Sequence, residues 1–201
     1  MLAKLATWVF DLGQPTGWWA AGCWNPAFKG PGVGYAGPMK TLLITYHSRT
    51  GGSRQMAQAA AEAARGADEV EVRLLEAEAG CASDLLAADG YLFICPENLA
   101  AITGEMKAFF DRAYYPVLGQ IEGRPYALMV CAGSDGENAV RQMARIATGW
   151  RLKAVAAPII ICTHAQTPEA ILAPKRLDET ALGRCRDLGA AMAAGLALGI
   201  Y

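Results

Sequence analysis

From residue 40 to the C-terminus, short apolar runs of strand length alternate with longer stretches of helical period. This alternation constrains the fold more than any other feature. Consecutive strands separated by helix-length segments are joined by crossovers, and right-handed crossovers place helices on both faces of a parallel sheet. "TLLITY" (41–46) reads as the first strand and 53–65 as a helix. "EVEVRLL" (69–75) reads as a strand alternating outward Glu and Arg with inward Val and Leu. "GYLFIC" (90–95), "PYALMVC" (125–131) and "APIIIC" (157–162) read as strands buried on both faces. Between them, Met106, Phe109, Phe110 and Ala113 form one apolar helical face opposite Glu105, Lys107 and Arg112. Residues 137–149 continue helically, and Leu182, Cys185, Gly189, Met192 and Leu196 mark a closing helix. The expectation is an α/β three-layer sandwich: a five-stranded parallel sheet covered on both sides.

A chain of 201 residues, 53% hydrophobic, can bury the core of one ordinary domain. Eighteen basic and nineteen acidic side chains nearly cancel, so charge gives no support for a nucleic-acid partner or an anionic membrane surface. A small-molecule partner fits better. The six cysteines lie far apart without a CxxC pair, and with only two histidines no metal site is expected. "LATWVF" ends at Asp11, short of a secretory core, and no apolar run is long enough to span a bilayer, so the expected setting is cytoplasmic with reduced thiols.

Residues 1–38 differ from the remainder: they carry four of the five tryptophans, seven glycines and four prolines without helical or strand period. They read as a poorly ordered extension in front of a domain at 39–201, although Trp8, Trp18, Trp19 and Trp24 would also suit a docked segment. "GVGYAG" (32–37) matches the GxGxxG dinucleotide pattern through Gly32, Gly34 and Gly37, but it neither leaves a strand nor opens a helix and is set aside.

The turn after the first strand, "SRTGGS" (48–53), carries the most chemistry. Ligands of such sheets bind outside the carboxyl ends of the strands. Gly51 and Gly52 allow a tight turn with successive N–H groups exposed, and a helix opening near Ser53 brings its open donors and positive dipole end to the same point. Ser48, Thr50 and Ser53 add hydroxyls, enough to surround the terminal oxygens of a phosphate monoester without a metal. The chain holds no Gly-Lys pair, which disfavours the mononucleotide P-loop and nucleoside-triphosphate hydrolysis. An ordinary strand-to-helix turn with a serine cap is the competing reading.

"TYHSRTGGS" (45–53) resembles the phosphate-binding loop of flavodoxin-like proteins, "PENLAAITGEMKAFFDR" (96–112) is similar to the segment after strand 3 in the NAD(P)H-dependent FMN reductase and quinone reductase branch, and "CAGSDGEN" (131–138) resembles the exit of strand 4. The resemblance covers about residues 40–200 and implies a flavodoxin-like sheet of order 2-1-3-4-5 with FMN at the ends of strands 1, 3 and 4. It implies that Ser48, Arg49, Thr50, Gly51, Gly52 and Ser53 hold the phosphate. Pro96, Glu97, Asn98 and Leu99 would lie along the isoalloxazine ring with Ile102 and Thr103 nearby, and Ala132, Gly133, Ser134 and Asp135 would border the other side. The implied activity is transfer of hydride from NAD(P)H, as co-substrate, to FMN and of electrons onward to a quinone, free flavin or similar small acceptor. A homodimer or homotetramer is compatible with it. Electron-carrier flavodoxins are typically acidic with aromatic rings stacked on the flavin. Neither "PENLAA" nor "AGSDGEN" holds an aromatic and the net charge is −1, which leaves a flavin face exposed and favours an enzyme over a non-catalytic electron-transfer or flavin-binding module. No catalytic side chain is expected, because the cofactor carries the chemistry.

Cys95, Cys131 and Cys162 each end an expected strand, where small buried residues are the simpler reading than redox thiols. His47 and His164 likewise end strands and are read as structural, while Arg49 and Arg54 are divided between phosphate pairing and solvation. A receiver domain shares this topology but needs an aspartate where the chain has Cys95.

Overall fold

The computed structural model describes residues 39–201. The readings made on 1–38, namely the extension, its tryptophans and the Gly32, Gly34, Gly37 pattern, lie outside the described residues. Along the chain run β1 (Lys40–Tyr46), α1 (Gly52–Ala64), β2 (Val70–Glu76), α2 (Ala82–Ala87), β3 (Gly90–Asn98), β4 (Ala101–Ile102), α3 (Gly104–Val117), β5 (Pro125–Ala132), α4 (Glu137–Gly149), β6 (Lys153–Ala154), β7 (Ile159–Cys162), α5 (Pro168–Leu172) and α6 (Glu179–Ala197).

The sheet runs β2-β1-β3-β5, and both β6 and β7 pair with the outer edge of β5. These pairings are parallel. β6 and β7 together fill the position of one fifth strand, so the order is the expected 2-1-3-4-5. That strand is split: Lys153 and Ala154 pair with Pro125 and Tyr126, whereas the ladder resumes only at Ile159 opposite Met129. The expected strand over 157–162 therefore starts late, since Pro158 has no N–H to donate. Two short helices, α2 and α5, and the two-residue β4 carry too few residues to show a period and were not expected.

Strand alternation explains the three layers. Tyr91, Phe93 and Cys95 of β3 join one apolar cluster with residues of α2, α3 and α4, while Leu92 and Ile94 join another with α1 and α6. Both faces are dry, as a parallel sheet requires. Small residues set the spacing of the second layer: a Cβ on Gly189 of α6 would lie 2.2 Å from the Ala60 carbonyl oxygen of α1. Arg73 of β2 was expected to face outward; instead its guanidinium pairs with Asp84 of α2, which is 9% exposed.

Candidate functional site

The carboxyl ends of β1, β3, β5 and β7 share one edge of the sheet, and the three loops singled out in the sequence lie there. In the first, Gly51 takes φ +91°, the left-handed region, as the residue before α1. The Ser48 hydroxyl accepts from the Gly51 N–H at 3.2 Å. Gly52 is fixed by close approach: a Cβ there would lie 2.5 Å from Cys131 Sγ on β5. Among the described residues no side chain caps α1. Its first amides have no intrahelical acceptor, and the Ser53 hydroxyl, on a residue 1% exposed, has no hydrogen-bond partner among the described residues.

Among the described residues, the other helix N-termini except that of α3, which starts at Thr103 without a side-chain cap, are closed by the protein itself. Asp178 caps α6, Thr167 caps α5, and Cys81 with Asp84 closes α2. The α4 terminus is closed from another element: Glu97 of β3 accepts from the Gly136 N–H at 2.7 Å and the Ala139 N–H at 3.4 Å. A loop with open amides, a buried unsatisfied hydroxyl and a positive dipole end is therefore what α1 presents at this edge, and a phosphate monoester fits that donor set. The loop cations are already engaged: Arg49 with Glu105 at 3.0 Å and Arg54 with Glu76 at 3.1 Å.

The second loop departs from expectation. Instead of ending before Pro96, β3 continues to Asn98 and folds back on β4, pairing Glu97 with Ile102 and Asn98 with Ala101. The hairpin turns on Leu99 and Ala100, with φ +51° and +56°, two consecutive left-handed residues in positions that favour Asn-Gly. Leu99 is fully exposed at the tip. Four bonds staple this hairpin to the start of α4: the two of Glu97, one from Asn138 Nδ2 to the Ala100 carbonyl, and one from the Ile102 N–H to Gln142 Oε1 at 3.0 Å. The Glu97 carboxylate is thus committed to α4, and the Ile102 side chain belongs to the core beneath. Thr103 is 2% exposed and its hydroxyl has no partner among the described residues. In the third loop, Gly133 is half-buried and Ser134 and Asp135 are exposed, between the buried Ala132 and α4.

Cys95 and Cys131 follow the structural reading, whereas Cys162 is only half-buried. Burial pushes the Cys95 thiol up to about 12 and the Cys131 thiol up to about 11, so neither is a thiolate near neutrality. His47 is buried, with Nδ1 2.9 Å from Glu78 Oε1. Its Nε2 lies 3.5 Å from Glu105 Oε2. The Glu105 carboxyl is held below its usual range, first by its own N–H at the start of α3 and next by His47 and Arg49. His164 takes φ +54° and is exposed. Two residues at this edge escaped the sequence reading, Gln55 and Lys175. No local motif marks them, because the bonds that join Gln55 to Lys175 and Lys175 to Thr50 close across 120 residues or more.

Two concavities lie away from this edge. One, of about 320 Å³, is lined by Lys40, Arg124 and Tyr201 at the opposite end of the sheet, and the other, of about 210 Å³, by Phe110, Tyr114 and Trp150 between α3 and α4. Donor chemistry, rather than cavity size, marks the site.

A parallel sheet of this order, with a hydroxyl- and amide-lined loop after its first strand, defines a flavodoxin-like protein. Residues 39–167 match the sequence profile of the NADPH-dependent FMN reductase family, more than half of the chain, and the chain belongs to that family. It is 35% identical over 97 residues to a flavodoxin of Aquifex aeolicus (strain VF5), an alignment covering 48% of this chain and 50% of that protein. The chain thus spans about half the length of this curated relative. Among solved structures, a flavodoxin from the domain Archaea superposes with TM-score 0.63 at 17% identity, over 78% of this chain and 98% of the other. The WrbA-like flavodoxin of Agrobacterium tumefaciens superposes with TM-score 0.60 at 19% identity, over 77% and 96%. At these identities the likeness is one of fold.

Proposed function

We propose that this chain binds FMN at the carboxyl edge of its sheet and passes electrons from NAD(P)H to a quinone, free flavin or similar small acceptor. The observation that carries the reading is the Ser53 hydroxyl, buried without a partner among the described residues at the N-terminus of α1, which opens directly from the β1 loop and has no side-chain cap. Membership of the NADPH-dependent FMN reductase family supports it. FMN, when bound, supplies the redox chemistry, accepting hydride and releasing electrons.

The chain's own residues bind and orient. Ser48, Thr50 and Ser53 and the amides from Arg49 to Ser53 hold the phosphate; the main chain of Pro96, Glu97, Asn98 and Leu99, ahead of Ile102 and Thr103, lines one side of the ring; Ala132, Gly133, Ser134 and Asp135 border the other. The Glu97 side chain positions both ring loops by joining the hairpin to the Gly136 amide. No general acid or nucleophile is assigned among these residues. The cytoplasmic setting with reduced thiols belongs to the same proposal.

Likeness to a flavodoxin supports a second reading, an electron-transfer module reduced only by a protein partner. Anaerobic mixing of the flavin-loaded protein with NADH or NADPH separates the two. Prompt bleaching of the flavin and parallel initial-rate lines support the enzyme; lasting yellow colour supports the module, and a purified protein that retains no FMN when loaded overturns both.

A further inference from the structure

We propose that the Glu105 carboxylate, at the start of α3, braces the loop after β1 against the β3-β4 hairpin and so fixes the spacing between the phosphate half and the ring half of the flavin site. This deepens the function proposed above and rests on it. Glu105 is then a positioning residue, acting through Arg49 and His47 on a ligand it does not itself hold.

Two groups at the exit of β1 meet this one carboxylate. Arg49 Nη2 donates to Oε1 at 3.0 Å, and His47 Nε2 lies 3.5 Å from Oε2. Among the described residues, no other hydrogen bond joins residues 48–53 to residues 96–105. The ring half is held together separately: β4 pairs with β3, and the hairpin is fastened to α4 just before α3 begins.

Exposure decides how much such a pair can do. The Arg49 side chain is 63% exposed, and an ion pair between solvated groups contributes little by itself. Glu105 is fixed from behind. Its own N–H at the helix start, and then His47 and Arg49, hold its carboxyl below the usual range, so it stays ionised. His47, 6% exposed, is locked in turn, because Nδ1 donates to Glu78 Oε1 at 2.9 Å. The loop that bears Glu78 is tied back to α3, where Arg112 donates to the Ala77 carbonyl at 2.6 Å and the Gly80 carbonyl at 3.1 Å. Glu105 and Arg112 stand seven residues apart, two turns along one face of α3. A closed circuit therefore runs from α3 through Arg112, the Glu78 loop and His47 back to Glu105. The acid that Arg49 reaches is part of the fold.

Preset spacing helps only a ligand that touches both halves. Riboflavin engages the ring half alone and inorganic phosphate the loop alone, whereas FMN spans them. The advantage of the joined ligand is the FMN association constant divided by the product of those for riboflavin and inorganic phosphate, an effective concentration. A direct contact from Arg49 to the phosphate would enter numerator and denominator alike and cancel.

The test is equilibrium titration of the flavin-free full chain with these three probes, for the wild type, Glu105→Gln and Arg49→Met, with thermal denaturation confirming that each folds. Both substitutions are expected to lower the quotient about tenfold while the riboflavin constant stays unchanged. Arg49 lies on the surface, so Arg49→Met keeps the fold even where Glu105→Gln does not. A quotient unmoved in either folded variant overturns the proposal, whether FMN keeps its affinity or riboflavin or phosphate loses as much as FMN. Failure of the underlying reading is distinct: riboflavin would then bind the wild type as tightly as FMN, and inorganic phosphate would not compete with FMN.

Discussion

At the scale of single residues, the loop after β1 is shaped by what stands behind it. Gly52 has ordinary backbone angles, so the obstacle to a larger side chain is Cys131 alone. Gly52→Ala is expected to lower stability by roughly 1–3 kcal/mol through that clash. In Cys131→Ala the nearest remaining atom would be the Cβ, 3.6 Å away, so the double variant should recover most of the loss in thermal denaturation. Equal destabilisation of single and double variants would contradict this packing. Asp84 gives a pH signature. Burial pushes its carboxyl up, but the Cys81 N–H and thiol and the Arg73 guanidinium outweigh it, and the net shift is downward. A depressed carboxylate stabilises the fold above its unfolded value and loses that contribution as pH falls through the folded one. The Tm gap between wild type and Asp84→Asn should therefore be wide at neutrality and close below about pH 4. The sequence displayed the donors of the loop, since Ser48, Thr50, Gly51 and Ser53 are contiguous. Cys131, Gln55 and Lys175 were silent because their roles exist only once distant segments meet.

At the scale of elements, the β3-β4 hairpin carries strain and is held by α4. Leu99 and Ala100 both sit in a left-handed conformation that costs an L-residue about 1–2 kcal/mol, so Leu99→Asn with Ala100→Gly should raise Tm. A fall in Tm would show that Leu99 or Ala100 makes a compensating contact. Glu97→Ala removes the acceptor for the Gly136 and Ala139 amides and should cost about 1–3 kcal/mol, while loosening the hairpin in hydrogen exchange. On the other face, Gly189→Ala would force α6 away from the Ala60 carbonyl and lower stability sharply. The long helices were readable from period, α4 to the residue at 137–149. The hairpin was not: Pro96 reads as the start of a loop, and nothing in "PENLAAI" announces a turn made without glycine or asparagine.

At the scale of the whole molecule, the alternation of strand and helix was enough to give layers, handedness and the edge where a ligand belongs. The split of the last strand and the path of 167–177 needed tertiary information, because both are decided by partners far away in sequence. The proposed function puts a phosphate monoester, as a dianion, among the amides and hydroxyls of the loop after β1. Phosphorus NMR of the FMN-loaded protein measures this directly. One bound resonance is expected, its position constant between about pH 5 and 8 because the phosphate is held in the dianionic form, whereas free FMN titrates near about 6. A bound resonance that titrates like free FMN would contradict it.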